Sequence, residues 1–209
     1  METVIAHRAL DDLRIVGGSL ALDFVNTRAG PRHGPVDTEW LSSYEDFAAW
    51  SRRAGAGDPR ALPDEAAPRP AGVDAVAAFA RVQACRDDMD EVFRALADGV
   101  APPDPALRRL QLAYLEALAH GQLAGDTDGC EWRWDSSGDL LAPLWPIVAA
   151  ALELLTSKPV SHIKPCHACR FLFIDQSKNG SRRWCSMEDC GKAAKIARYL
   201  QRRSDAQAR

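Results

Sequence analysis

Four cysteines near the end of the chain have the spacing of a structural zinc site. Two residues separate Cys166 from Cys169, four separate Cys185 from Cys190, and fifteen lie between the two pairs. Such short gaps let each pair aim two thiolates at one point, and zinc prefers a tetrahedron of ligands at about 2.3 Å. Four thiolates leave no coordination position for water, so we expect a structural ion. The alternatives are a metal-free reduced cluster or two disulfides.

Positive charges follow the last cysteine at helical spacing. On a helix, the basic residues from Lys192 to Arg203 fall within an arc of about 140°. Rows of cations of this kind neutralise nucleic-acid phosphates. Lys178, Arg182 and Arg183 in the spacer between the cysteine pairs add further positive charge. We therefore predict a nucleic-acid-binding surface formed by Lys178, Arg182, Arg183, Lys192, Lys195, Arg198, Arg202 and Arg203.

Charge divides the chain into two parts. Residues 158–209 carry 12 Lys and Arg against 4 Asp and Glu, whereas residues 1–157 carry a net charge of −11. An acidic body with a basic tail is typical of polyanion binding by the tail. We therefore predict domains at 1–157 and 158–209. The alternatives are a solvated basic face, or docking of the basic helix on an acidic partner or on the body itself.

The local patterns predict an α+β fold that is mostly helical. Helices are expected at 44–53, 73–97, from about 105 to 120 and at 139–157, with a linker at 57–72. A β-hairpin is expected at 13–27 around Gly17-Gly18, and a short strand at 130–135. In the tail, strands at 171–175 and 181–185 around a turn at 177–180 form a zinc-ribbon-like module that ends in a helix.

Three polar residues close the first apolar segment and could hold a ligand. Asp23, Asn26 and Thr27 lie at the end of this apolar segment, where a ligand could be held, but such side chains also cap or brace neighbouring backbone. Trp132 and Trp134 point to one strand face, which favours core packing or a homodimer contact over ligand stacking. No nucleophile triad, phosphate-binding glycine loop or paired carboxylates are visible, so we predict that the protein is not an enzyme.

The N-terminus is polar and resembles no signal peptide. The most apolar run, Leu140–Leu155, is too short to span a bilayer and contains two prolines. We therefore expect a cytoplasmic protein without a membrane segment, in which clustered cysteines bind metal.

Two segments resemble a known family. Residues 171–195, with the run Arg182-Arg183-Trp184-Cys185-Ser186-Met187 and the pair Cys190-Gly191, resemble the CGNR zinc finger. The segment SLALDFVNT at 19–27 is similar to the opening of the ABATE domain, which precedes that finger in the same family. Lys192-Ala193 stands where the family has Asn-Arg. The resemblance implies a bacterial, stress-induced transcriptional regulator with a zinc-binding module directed at DNA.

The leading hypothesis is a regulator with an acidic sensing or dimerising body and a zinc-stabilised nucleic-acid-binding tail. The body would then bind an unidentified small molecule or form a homodimer. The first alternative is a protein-interaction module. The second is an enzyme with a pocket near Asp23 and Asn26.

Overall fold

The computed structural model describes residues 5–56, 73–127, 129–134 and 138–207. Helices dominate it, and the strands are short. The helices are α1 (Leu20–Val25), α2 (Tyr44–Ala54), α3 (Val73–Ala97), α4 (Asp104–Ala119), α5 (Leu144–Thr156) and α6 (Lys192–Gln207). The strands are β1 (Ala6–His7), β2 (Arg28–Ala29), β3 (Thr38–Glu39), β4 (Gly121–Asp126), β5 (Gly129–Trp134), β6 (Ile163–Pro165) and β7 (Leu172–Ile174). The predicted α+β class is confirmed.

Several helices lie where the sequence predicts them. Helix α2 begins with a capping box in which the Ser43 hydroxyl accepts from the Asp46 amide at 3.2 Å. It ends at Gly55, whose φ of 71° is left-handed. Helix α3 has the predicted bounds, α4 lies close to the predicted range of about 105 to 120, and α5 begins at Leu144 rather than at 139. The predicted linker at 57–72 lies outside the described residues, and no helix in the described ranges could span a membrane.

Helix α1 replaces the β-hairpin predicted at 13–27. The turn is where it was predicted, with Gly18 at a φ of 80°. Neither predicted strand forms: residues 13–16 are irregular, and the chain continues as a helix after the turn. Residues 21–25 are all buried, and α1 packs against α5, α3 and β7. A segment that is covered on every side shows no hydrophobic period, so its short apolar run is compatible with either element.

The strands form three small sheets. Strand β3 lies between β1, which is parallel to it, and β2, which is antiparallel. Strand β5 matches the predicted strand at 130–135 as far as residue 134, and the sequence did not reveal its hairpin partner β4. Trp132 and Trp134 stack on one face of this hairpin with ring centroids 5.8 Å apart. Trp132 is exposed and Trp134 is half-buried.

The strand pairing in the tail differs from the predicted ribbon. Strand β7 forms, but its antiparallel partner is β6, which precedes the first cysteine pair. The predicted second strand, at 181–185, is a loop. The Trp184 and Cys185 carbonyls of this loop accept hydrogen bonds from the Arg182 guanidinium. A side chain therefore holds the segment in place of backbone hydrogen bonds to a neighbouring strand. The predicted turn is confirmed: the Gly180 amide donates to the Ser177 carbonyl at 3.0 Å.

Candidate metal centre and cationic surface

The four predicted ligands converge on one point. Their sulfur atoms all lie within 4.8 Å of one another. The Cys169–Cys185 and Cys185–Cys190 separations are 3.6 Å, and Cys190–Cys169 is 3.7 Å. A tetrahedron with metal–sulfur bonds of about 2.3 Å has edges of about 3.8 Å, whereas a disulfide needs about 2.05 Å. The cluster therefore fits a zinc ion, and its sulfur spacing does not fit two disulfides.

The contacts among the four thiols shift their pKa values, and these shifts indicate why the cluster favours a bound cation. A hydrogen bond with Cys169, followed by those with the other two thiols, lowers the pKa of Cys166. The pKa of Cys185 is raised, first by its contact with Cys166. The sulfur atoms are too close for all four to be thiolates without a neutralising charge. A divalent cation supplies that charge.

Backbone contacts hold the first cysteine pair in a tight knuckle. The Cys166 amide donates to the Phe171 carbonyl at 2.8 Å, and the His167 amide donates to the Arg183 carbonyl at 3.0 Å. The His167 ring is exposed, and its Nδ1 lies 3.4 Å from the Arg183 guanidinium. His167 is therefore not a metal ligand. This agrees with the four cysteines, which already fill a tetrahedral site.

The second cysteine pair leads directly into α6. Gly191 follows the ligand Cys190 and is buried. A Cβ at Gly191 would lie 3.0 Å from Met187 Sδ and 3.2 Å from Trp184 Cδ1, so a side chain there would crowd the packing. The Gly191 amide donates to the Ser186 carbonyl at 3.0 Å. The metal cluster thus fixes the start of α6, of which no described side chain is buried.

Seven of the eight predicted nucleic-acid-binding cations are exposed. They are Lys178, Arg183, Lys192, Lys195, Arg198, Arg202 and Arg203. Arg182 differs from them because it is half-buried, donates to two carbonyl groups of the metal module and lies 4.3 Å from the centre of the Phe173 ring. Arg182 is therefore used to hold the module together.

Asn26 joins the metal module to the helical body. It follows α1, is only 1% exposed, and meets Leu172 of β7. Its Nδ2 donates to the Leu172 carbonyl at 2.9 Å, while its Oδ1 accepts from the Leu172 amide at 2.8 Å. One amide side chain thus acts as a strand partner for β7. Nearby, the Ile174 amide donates to the Gly17 carbonyl at 2.8 Å.

Asp23 and Thr27, the other two residues predicted to hold a ligand, also brace the backbone. The Asp23 carboxylate accepts from the amides of Val16 and Gly17 at 2.9 and 2.7 Å, and its burial raises its pKa. The Thr27 hydroxyl donates to the Phe24 carbonyl at 2.7 Å. These contacts favour the bracing alternative over ligand contact.

The sequence did not reveal a buried ion pair behind these residues. Arg86 of α3, 1% exposed, makes two hydrogen bonds to the Glu39 carboxylate, at 2.9 and 2.8 Å. It also donates to the Thr27 hydroxyl at 2.6 Å. The available signal was that Arg86 directly follows Cys85, which belongs to a row of apolar residues at helical spacing that also includes Met89 and Val92. Cys85 itself is buried, as a core residue should be.

The sequence also did not reveal a cavity of about 320 Å³ between α3, α4 and the start of α5. Its apolar wall includes Cys85, Leu144 and Trp145. Two ion pairs at its edge join α3 to α4: Arg81–Glu116 and Arg109–Asp88, each at 2.6 Å. Both pairs are partly exposed, and their charges cancel.

Comparisons with known proteins agree with the geometry. A family model named ABATE, described as "Putative stress-induced transcription regulator", matches residues 18–158. The model of the CGNR zinc finger matches residues 162–203, a range that contains all four cysteines. Both are regulator or zinc-finger families and not enzyme families. The comparison with curated proteins gives no match. The finger match and the sulfur geometry together support a structural zinc ion.

Proposed function

The chain belongs to the ABATE family, and on that premise we propose that it regulates transcription by binding nucleic acid, DNA in preference to RNA, through its zinc-stabilised C-terminal module. The observation that carries the proposal is the row of exposed cations on α6, which begins two residues after the ligand Cys190. We place this activity in the bacterial cytoplasm. The domain boundary remains that predicted from charge, between residues 157 and 158.

The charge on α6 is available to a partner. Within the described part of the chain, none of its five lysines and arginines forms an ion pair with a carboxylate. Arg198 Nε reaches only the Ala194 carbonyl, at 3.3 Å, and Arg203 lies over the Tyr199 ring. Exposed cations without carboxylate partners can neutralise phosphates and release counterions. The structural zinc joins the two cysteine pairs, and the row of cations on α6 begins directly after the last of them.

Binding to an acidic protein is the alternative for the same surface. Docking of α6 on the chain's own acidic body receives no support, because none of the helix's described side chains is buried. An acidic protein partner would contact the same cations. In that case the zinc-loaded chain would bind neither DNA nor RNA. The two functions are therefore separable by one binding experiment.

The cavity between α3, α4 and α5 supports a second role, sensing of a small molecule by the helical body. Its apolar wall and the cancelling charges of its two ion pairs suit a small uncharged apolar ligand. We prefer this cavity to the cluster of Asp23, Asn26 and Thr27, whose polar atoms are used within the protein. A homodimer contact through Trp132 remains a prediction.

The proposal is tested by titrating fluorescently labelled duplex DNA, and RNA of the same sequence, with the zinc-loaded protein at several salt concentrations. Each phosphate contact contributes a slope of about −0.9 to the logarithmic salt dependence of the affinity. Replacing both Lys195 and Arg198 by glutamate should weaken binding and reduce that slope by about 2. The matched control replaces Arg8 and Arg108, two exposed cations of the body, by glutamate.

Two results would overturn this function. One is the absence of binding to either nucleic acid, or an affinity that does not change with salt. The other is an equal loss in the α6 variant and in the body variant, which would reflect net charge instead of a binding face. Tighter binding to RNA than to DNA would remove the stated preference for DNA.

A further inference from the structure

A small cleft of about 100 Å³ lies where the metal module meets the C-terminal end of α3. Three arginines from distant parts of the sequence line it: Arg32 from the loop before β3, Arg94 from α3, and Arg170 from the first cysteine knuckle. His33 and Asp98 also line the cleft. This gathering of guanidinium groups is separate from the cations of α6.

Backbone contacts fix the loop that carries Arg32. The Arg170 amide donates to the Gly30 carbonyl at 3.0 Å, and Arg170 Nη1 donates to the Gly34 carbonyl at 3.1 Å. Pro31 forms an isolated antiparallel bridge with Cys169. A side chain at position 30 would collide with the Pro35 carbonyl oxygen, so glycine is needed for this close approach. The loop is therefore held against the metal knuckle by contacts that do not use the Arg32 side chain.

The arginines have fewer acidic partners than their charge requires. Asp90 is shared, with one oxygen 2.7 Å from Arg94 Nη2 and the other 3.4 Å from Arg170 Nη2. The shorter contact is ionic and poorly aligned for a hydrogen bond, and the buried Arg94 Nε has no acceptor among the described residues. Arg32 forms no ion pair with any residue that the structure describes. Asp90 thus pairs with two of the three guanidinium groups, and Asp98 is the carboxylate in the cleft lining.

We propose that this cleft binds a phosphate group. Guanidinium groups bind phosphate through paired, charge-assisted hydrogen bonds, and Arg32, which lines the cleft, has no acidic partner among the described residues. The cleft is far smaller than the several hundred Å³ of a typical small-molecule site. The phosphate belongs either to a nucleic-acid backbone or to the free anion. The first source rests on the function proposed above, whereas the second does not.

The first arm of the test uses inorganic phosphate with the full zinc-loaded chain. Calorimetric titration at constant ionic strength, with chloride as the balancing anion, compares wild type with Arg32→Gln and Arg94→Gln. The control is Arg108→Gln, an exposed arginine of α4. We expect each cleft variant to lose affinity about tenfold or more, and the control to match wild type. Arg32→Gln is decisive because it removes no contact seen in the fold.

The second arm measures DNA binding of the same variants against salt. If a backbone phosphate occupies the cleft, Arg32→Gln reduces the salt slope by about 1. If the free anion occupies it, the slope stays unchanged while the first arm still shows the loss. Failure of phosphate to bind wild type, or equal affinity for wild type and Arg32→Gln, overturns the cleft. Phosphate binding by a protein that binds no nucleic acid would instead overturn only the proposed function.

Discussion

Replacing Asn26 by leucine should remove two of the hydrogen bonds that link the metal module to the helical body. Leucine is nearly the same size as asparagine but cannot form hydrogen bonds with the amide and carbonyl groups of Leu172. Both groups are in the buried strand β7 and would be left without a partner. Each buried polar group left without a partner costs about 1–3 kcal/mol. After allowing for the burial of the leucine itself, we expect a loss of about 2–4 kcal/mol in the free energy of unfolding, out of a typical 5–15 kcal/mol.

Urea unfolding of the zinc-loaded protein, followed by circular dichroism, measures this loss. With a slope of about 2 kcal/mol per molar urea, the midpoint should fall by about 1–2 M. The matched control is Asn179→Leu, the same change at an exposed turn position, which should stay near wild type. A midpoint for Asn26→Leu within 0.3 M of the control, a margin of about 0.6 kcal/mol, would refute the bracing role. Such a result would return Asn26 to the candidates for ligand contact.

Three further outcomes follow from the structure. Removal of zinc by a strong chelator should unfold the module, seen as lost helical circular dichroism; an unchanged spectrum would contradict a structural ion. Asp175→Asn should destabilise the protein equally at pH 6, 7 and 8 in urea unfolding. Lys164 first, then Ser177, lowers the pKa of Asp175 below its ordinary 3.8, so the stabilisation is complete above that value and is lost as pH falls below it. A destabilisation that varies between pH 6 and 8 would count against this. Iodoacetamide should modify exposed Cys130 well before Cys85, whose pKa burial raises to about 12, as mass spectrometry can check. Equal rates would disprove the burial of Cys85.

The metal centre was predictable because its ligands are encoded by local spacing. Four cysteines in two short-gap pairs define a tetrahedron without knowledge of the rest of the fold. The bounds of α2 were likewise local, since Ser43 and Gly55 mark its two ends. In each case the decisive sequence signal is short: a gap of two or four residues within a cysteine pair, and three residues from Ser43 to Asp46 in the capping box.

The missed features have different physical causes. The predicted partner of β7 was wrong although β6 lies only a few residues before it, because two short segments flank β7 and the sequence does not show that hydrogen bonds from Arg182 hold the second one as a loop. Helix α1 was hidden by burial on all sides. The cleft of Arg32, Arg94 and Arg170 exists only because a glycine loop and a cysteine knuckle dock on α3. No spacing rule connects those three positions.

Helix α6 is attached to the rest of the described chain at its first residues only, so a small change of angle there becomes a large displacement at its far end. Its 16 residues extend about 24 Å at 1.5 Å per residue. A tilt of 10° at the Cys190–Gly191 junction would therefore move the far end by about 4 Å, more than the axial step of about 3.4 Å between successive phosphates of one DNA strand. If the module binds DNA as proposed, the stiffness of the metal cluster would therefore set which phosphate Arg202 and Arg203 can reach.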